Sequence, residues 1–229
     1  MECNAVYDTM HDIDCRKRES WMGNAMQKKR IIAILILGIL LLLPGCAKKA
    51  AVTEESVISL AADGTVVLTI MEPFEQANYS QEDLQEMILT KTAAYNKQND
   101  SDSIAVEKVA VENGQIVVVM KFKSAGDYTK FNQTKYEETE LFVGTVKEAY
   151  QNGYDLDRTF YDVSNDEKTI GKDELLEMWD AHIMITRESE QISVFDKILY
   201  HTDGVEVDPK GKKVRKAEED DEIVMIVFK

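Results

Sequence analysis

The chain has 229 residues, 44% of them hydrophobic and 8% aromatic, and a formal charge of −15. That composition supports a buried core and excludes a disordered chain. The first 46 residues hold 6 Lys/Arg and 5 Asp/Glu, so the rest carries −16, a sign that repels phosphate backbones and anionic headgroups and argues against nucleic-acid binding.

Residues 1–25 have mixed charge, no periodicity and two further methionines, Met10 and Met22. They read as an upstream extension from a misassigned start, the alternative being a genuine cytoplasmic extension. From Met26 the chain runs Met-Gln-Lys-Lys-Arg, then thirteen apolar or Gly residues from Ile31 to Leu43, then Pro44-Gly45-Cys46. Basic, apolar and small-residue segments in that order make residues 26–45 a secretory signal. A membrane span needs about 20 apolar residues, and Pro44 and Gly45 close this run too early.

Leu43-Pro44-Gly45-Cys46 resembles the lipobox of bacterial lipoproteins: an aliphatic residue, a small residue, Gly or Ala, then Cys. Pro44 departs from the usual Ala, Ser or Thr. The resemblance covers Met26 to Cys46. It implies that Cys46 receives a diacylglyceryl thioether, becomes the acylated N-terminus after signal removal, and holds the protein on the outer face of the bacterial membrane. Each buried CH₂ contributes about 0.8 kcal/mol, so two or three acyl chains anchor stably. Residues 46–55 then form a lipidated tether, with Lys48 and Lys49 near anionic headgroups. The remaining cysteines, Cys3 and Cys15, precede the cut, so the exported product has no internal disulfide and folds by packing alone.

The exported part, 56–229, reads as an α+β domain, mostly an antiparallel sheet built from hairpins with two or three packed helices. Two lobes, about 56–135 and 136–229, are conceivable. Asp63-Gly64, Asn113-Gly114 and Asp203-Gly204 each predict a tight hairpin of type I′. The second pairs Val111 with Ile116 and Val109 with Val118, which places Ile116, Val118, Met120 and Phe122 on one core face. Ser80-Gln-Glu-Asp83 resembles a capping box, and Leu84, Met87, Ile88, Ala94 and Tyr95 follow at helical spacing. Further helices are expected over about Lys172 to Ala181, with Leu175, Met178, Trp179 and His182 on one face, and over about Glu138 to Asn152, stopped by Gly153. Ile223 to Phe228 is wholly apolar, as in a strand buried on both faces.

Chemistry-bearing motifs are sparse. His182 and His201 lack ligands at zinc spacing and read as partly buried structural histidines, so no metal or cofactor is expected. There is no Gly-x-Ser-x-Gly elbow and no Gly-rich phosphate loop, and no free thiol remains after lipidation. Asp155, Asp157 and Asp162, then Asp166 and Glu167, then Glu218 to Glu222, are acidic clusters without a calcium-loop pattern, and read as solvated loop charge. Tyr128, Phe131, Tyr136, Tyr150, Tyr154, Phe160 and Tyr161 concentrate in the middle third. Packing against a sheet is the simpler reading of that set, a sugar or peptide groove the sharper one. The expected function is a membrane-anchored binding or interaction module for an envelope protein or extracellular ligand, more plausibly not an enzyme. The alternatives are a carboxylate-based envelope hydrolase, marked by two close acidic groups of raised pKa, and a structural or assembly lipoprotein, marked by an exposed apolar patch.

Overall fold

The computed structural model describes residues 55–74, 80–134, 139–217 and 222–229. Cys46, the signal segment, Tyr136, Glu138 and Glu218 to Asp221 lie outside the described residues. Among the described residues there are four helices and thirteen strands, the strands in two mostly antiparallel sheets, the expected α+β class.

In chain order these are β1 (Val57–Leu60), β2 (Val66–Pro73), α1 (Gln81–Gln98), β3 (Ile104–Glu112), β4 (Gln115–Phe122), α2 (Ala125–Asn132), β5 (Leu141–Thr145) and α3 (Val146–Gln151). There follow β6 (Phe160–Asp162), β7 (Asn165–Ile170), α4 (Lys172–Leu176), β8 (His182–Thr186), β9 (Gln191–Ser193), β10 (Ile198–His201), β11 (Val205–Val207), β12 (Lys213–Lys216) and β13 (Val224–Phe228). The first sheet has the order β11-β12-β9-β1-β2-β4-β3, the second β5-β8-β13-β10-β6-β7. Only the β1–β9 pairing is parallel among the described strands. Through it, strands from both sides of residue 135 share the first sheet.

The central hairpin has the expected register, Val109 opposite Val118 and Val111 opposite Ile116. Asn113 and Gly114 have φ of 52° and 79°, the paired positive values of a type I′ turn. Ile116, Val118, Met120 and Phe122 are buried in one cluster with Leu68 and Ile70 of β2 and Leu84 and Ile88 of α1. The Ser80 hydroxyl accepts from the Asp83 N–H at 3.1 Å while the Asp83 carboxylate accepts from the Ser80 N–H at 3.2 Å, closing the box that starts α1.

The other two Asp-Gly turns differ from expectation. At Asp63-Gly64 the chain does reverse, but only Gly64 has positive φ. The loop runs from Ala61 to Thr65, with the Gly64 N–H on the Ala61 carbonyl at 3.0 Å. Asp203-Gly204 is not a hairpin: β10 belongs to the second sheet and β11 to the first. The reason is local bonding. Thr202 exchanges bonds with Met225 of β13, N–H to carbonyl at 2.9 Å and Met225 N–H to the Thr202 hydroxyl at 3.0 Å, while the Gly204 carbonyl accepts from Ala217 at 2.9 Å. Residues two apart are thus committed to different sheets. The hairpin partner of β11 is β12, reached through Asp208–Lys212.

Two helix expectations also need correction. Over 138–152 the described chain is first a strand, Leu141 to Thr145, paired along its length with β8. The helix begins only at the Thr145/Glu148 capping box and ends before Gly153, whose φ is 83°. Over 172–181 the helix stops at Leu176. The chain then unwinds so that the Trp179 and Ala181 carbonyls receive the first N–H groups of α3, Lys147 at 3.2 Å and Val146 at 2.9 Å. Trp179 is 40% exposed and His182 lies in β8, so they do not share a buried helical face with Leu175. The unexpected helix α2 starts at Ser124, whose hydroxyl accepts from the Asp127 N–H at 3.0 Å.

As its composition suggested, β13 is buried on both faces. Val224, Ile226 and Phe228 join the cluster between the sheets, and Met225 and Val227 join a second cluster with Val146, Ala149, Leu156, Phe160 and Leu175. Gly114 has open space around it, so only its φ resists a side chain. Gly114→Val is therefore expected to destabilise by about 1–3 kcal/mol through a β-branched residue at positive φ. Thermal unfolding of the purified domain checks this; a melting temperature within a degree of wild type would contradict the turn.

Candidate functional site

Where the chain crosses between sheets it leaves a groove of about 760 Å³, within the roughly 300–1,000 Å³ usual for ligand sites. Its floor is β10, one wall is β11 with the Asp208–Gly211 loop, and the other is Tyr161 and the β6–β7 turn, Asp162 to Ser164. Backbone bonds fix both walls to the floor: Val163 N–H to the Leu199 carbonyl at 3.0 Å, and Ile198 N–H to the Gly211 carbonyl at 2.8 Å.

Tyr161 and His201 face each other across the β6–β10 pairing, their rings stacked with centroids 6.0 Å apart. His201 Nδ1 lies 2.8 Å from the Thr202 carbonyl. A carbonyl only accepts, so Nδ1 carries a proton and Nε2 is the ring nitrogen outside that bond. Asp162 accepts from the Ser164 hydroxyl at 2.6 Å and its N–H at 2.7 Å, which holds its carboxyl below the usual range. Burial raises the Asp208 carboxyl, but bonds from the Lys212, Lys213 and Lys210 N–H groups outweigh it and the net shift is downward. Asp203 accepts from the Gly204 N–H at 2.9 Å. All three carboxylates therefore organise local backbone. Lys197 and Lys210 line the same groove, with no ion pair among the described residues.

The structure divides the aromatic set read from the sequence. Tyr128, Phe131 and Phe160 are core residues, and the Tyr128 hydroxyl donates to the buried Glu188 carboxylate at 2.9 Å. Tyr154 is half-buried, tilted on Phe142 at 4.9 Å. Tyr150 is exposed and meets Trp179 edge-on at 5.7 Å, with the Lys172 ammonium 5.9 Å from its ring. Of the described members of the set, only Tyr161 lines the groove. His182 packs among Phe195 and Phe228, as a structural histidine would. Of the acidic clusters, Asp155 and Asp157 sit on an exposed loop, the Asp155 carboxylate accepting from the Asp157 N–H at 3.0 Å, and Glu167 is exposed on β7. No group of three or more metal-ligating side chains converges among the described residues. Sequence reading did not single out Lys197, Lys210, Val205 or Val207, because no local pattern marks residues that meet only where two sheets join.

Comparison with protein-family models, with curated protein sequences and with solved structures finds no match to this chain.

Burial, with the nearby Glu140 carboxylate, pushes the Tyr154 phenol up to about 12. Its protonated form is favoured by folding, so this contribution is fully present below the unfolded value near ~10 and is lost as pH rises from there to about 12. Tyr154→Phe is expected to shallow the alkaline fall in stability over that window, as denaturant midpoints at stepped pH would show; an unchanged fall would contradict it. Asp208 acts in the opposite range. Its contribution is present above pH ~4 and lost as pH falls through its depressed native value. Protection of the Lys212 and Lys213 amides, taken relative to the intrinsic exchange rate at each pH, should fall on acidification and in Asp208→Asn at neutral pH; protection that survives both would contradict the loop's dependence on that carboxylate.

Proposed function

We propose that this chain is a lipid-anchored extracytoplasmic protein whose acidic α+β domain is a binding module, with the groove between β10 and β11 as its ligand surface. The observation that carries the anchoring is the sequence from Met26 to Cys46: three basic residues, thirteen apolar or Gly residues, and Leu43-Pro44-Gly45-Cys46. One further feature supports it: the first described strand begins at Val57, which leaves residues 46–55 as the tether, a reach of about 35 Å when extended. No helix among the described residues is long and apolar enough to cross a membrane. The binding role is supported by a built groove whose three carboxylates are held in local turns while two lysines and an imidazole nitrogen remain for a ligand.

Cys46→Ser is expected to abolish labelling by a fatty-acid analogue in cells and to leave the uncut precursor, visible by mass. Labelling that persists in the variant would end the reading. Translation from Met26 should suffice for export, since every element of the signal lies downstream. A chain lacking residues 1–25 that fails to reach the membrane would show that the extension matters.

A further inference from the structure

We infer that the groove receives an extended peptide segment, which adds a strand to the free edge of β11. The inference rests on the binding-module reading and names the ligand class of that site.

The argument begins with hydrogen-bond alternation. In an antiparallel pair, residues alternate between bonding the partner strand and pointing their N–H and C=O away from it. The β11–β12 ladder bonds at Gly204–Ala217, where the Gly204 carbonyl accepts from Ala217, and at Asp208–Lys213, where the Asp208 N–H donates at 2.9 Å. Glu206, opposite Arg215, falls in the same phase, so Val205 and Val207 turn their N–H and C=O outward. β11 has no other neighbour in its sheet. Val205 and Val207, but not Glu206, line the groove. Two donors and two acceptors thus stand along one wall at strand spacing, which is the pattern a peptide backbone complements.

The other sheet edges are interrupted by side-chain plugs, a bulge or charge. On β3, Asn96 takes both backbone groups of Ile104, accepting at 3.1 Å and donating at 2.8 Å, and the Gln81 side chain accepts from the Val111 N–H at 3.0 Å. A bulge between Val106 and Lys108 interrupts the stretch between these plugs. On β5 the Thr129 hydroxyl bonds both backbone groups of Leu141, at 3.1 and 3.3 Å. Exposed Glu167 and Lys168 guard β7 by charge. β11 has neither plug nor bulge. The stacked Tyr161 and His201 opposite it offer a surface for an apolar side chain. Lys197 and Lys210 offer charge partners to an acidic one, their loops held together at Gly211, where an added Cβ would stand 3.8 Å from Lys197 Cγ.

The test is selection of a random peptide library of about seven residues on the full-length chain, followed by backbone amide measurements with an enriched peptide. Bound peptide should shift and protect the Val205 and Val207 amides, which exchange freely without it. Val207→Pro removes an N–H that bonds no strand, so it should weaken binding about tenfold or more, while Val207→Thr, which keeps the N–H, should retain it. If Val207→Pro fails to fold, the wild-type exchange measurement decides alone. Failure to enrich any peptide, amide shifts elsewhere, or binding indifferent to Val207→Pro in a folded protein would overturn the inference. So would concentration-dependent dimerisation that protects the same two amides, since the occupant is then a second copy. Fatty-acid labelling of Cys46 does not involve the groove, so a failed selection beside positive labelling sinks the peptide and leaves the anchoring intact.

Discussion

The structure depends on β13 being buried on both faces. Five residues, Val224 to Phe228, pair with β8 on one side and β10 on the other, and their side chains alternate between the cluster that joins the two sheets and the cluster under α3 and α4. Among the described strands β8 shares this division, Met184 against Ile183 and Ile185, but β13 places more buried side chains in the two clusters. Burying an aliphatic or aromatic side chain is worth about 1.5–3 kcal/mol, so this one strand supplies a large part of what binds the two layers together.

The groove follows from the same arrangement. Thr202 continues the bonding of β10 to β13, and Gly204 must then start toward β12, so the chain leaves one sheet for the other within three residues. β11 keeps an open edge where β3 and β5 carry plugs from Asn96, Gln81 and Thr129. The groove is a by-product of how two sheets are stitched, with local carboxylates, Asp162, Asp203 and Asp208, used to hold the stitching in shape.

The register at Asn113-Gly114 was legible in the sequence because everything that sets it is local: two positive φ values and unbroken alternation on each side. The same dipeptide logic failed at Asp203-Gly204 because a turn says where the chain bends, not which strand it next pairs with. Helix ends were legible wherever a hydroxyl and a carboxylate stand three apart. Thr145 with Glu148 and Ser124 with Asp127 were as readable as Ser80 with Asp83, and attention to the first would have separated β5 from α3. Of the site, Tyr161, Asp162 and His201 were noticed singly, but their meeting depends on the β6–β10 pairing. Lys197, Val205, Val207 and Lys210 carry no local signal, because what they do is decided by a distant sheet edge.

The central claim is that β13 joins the two cores into one cooperative unit. It is tested most directly by native-state hydrogen exchange on a Val227→Ala variant, whose side chain belongs to the cluster under α3 and α4. The truncation should cost roughly 1–3 kcal/mol. A shared strand predicts that the amides of Ile116, Val118 and Met120, which belong to the other core, lose protection by the same amount as those of Ile183 and Ile185. Loss confined to Ile183 and Ile185, with the β4 amides unchanged, would show two independently stable layers and contradict the account.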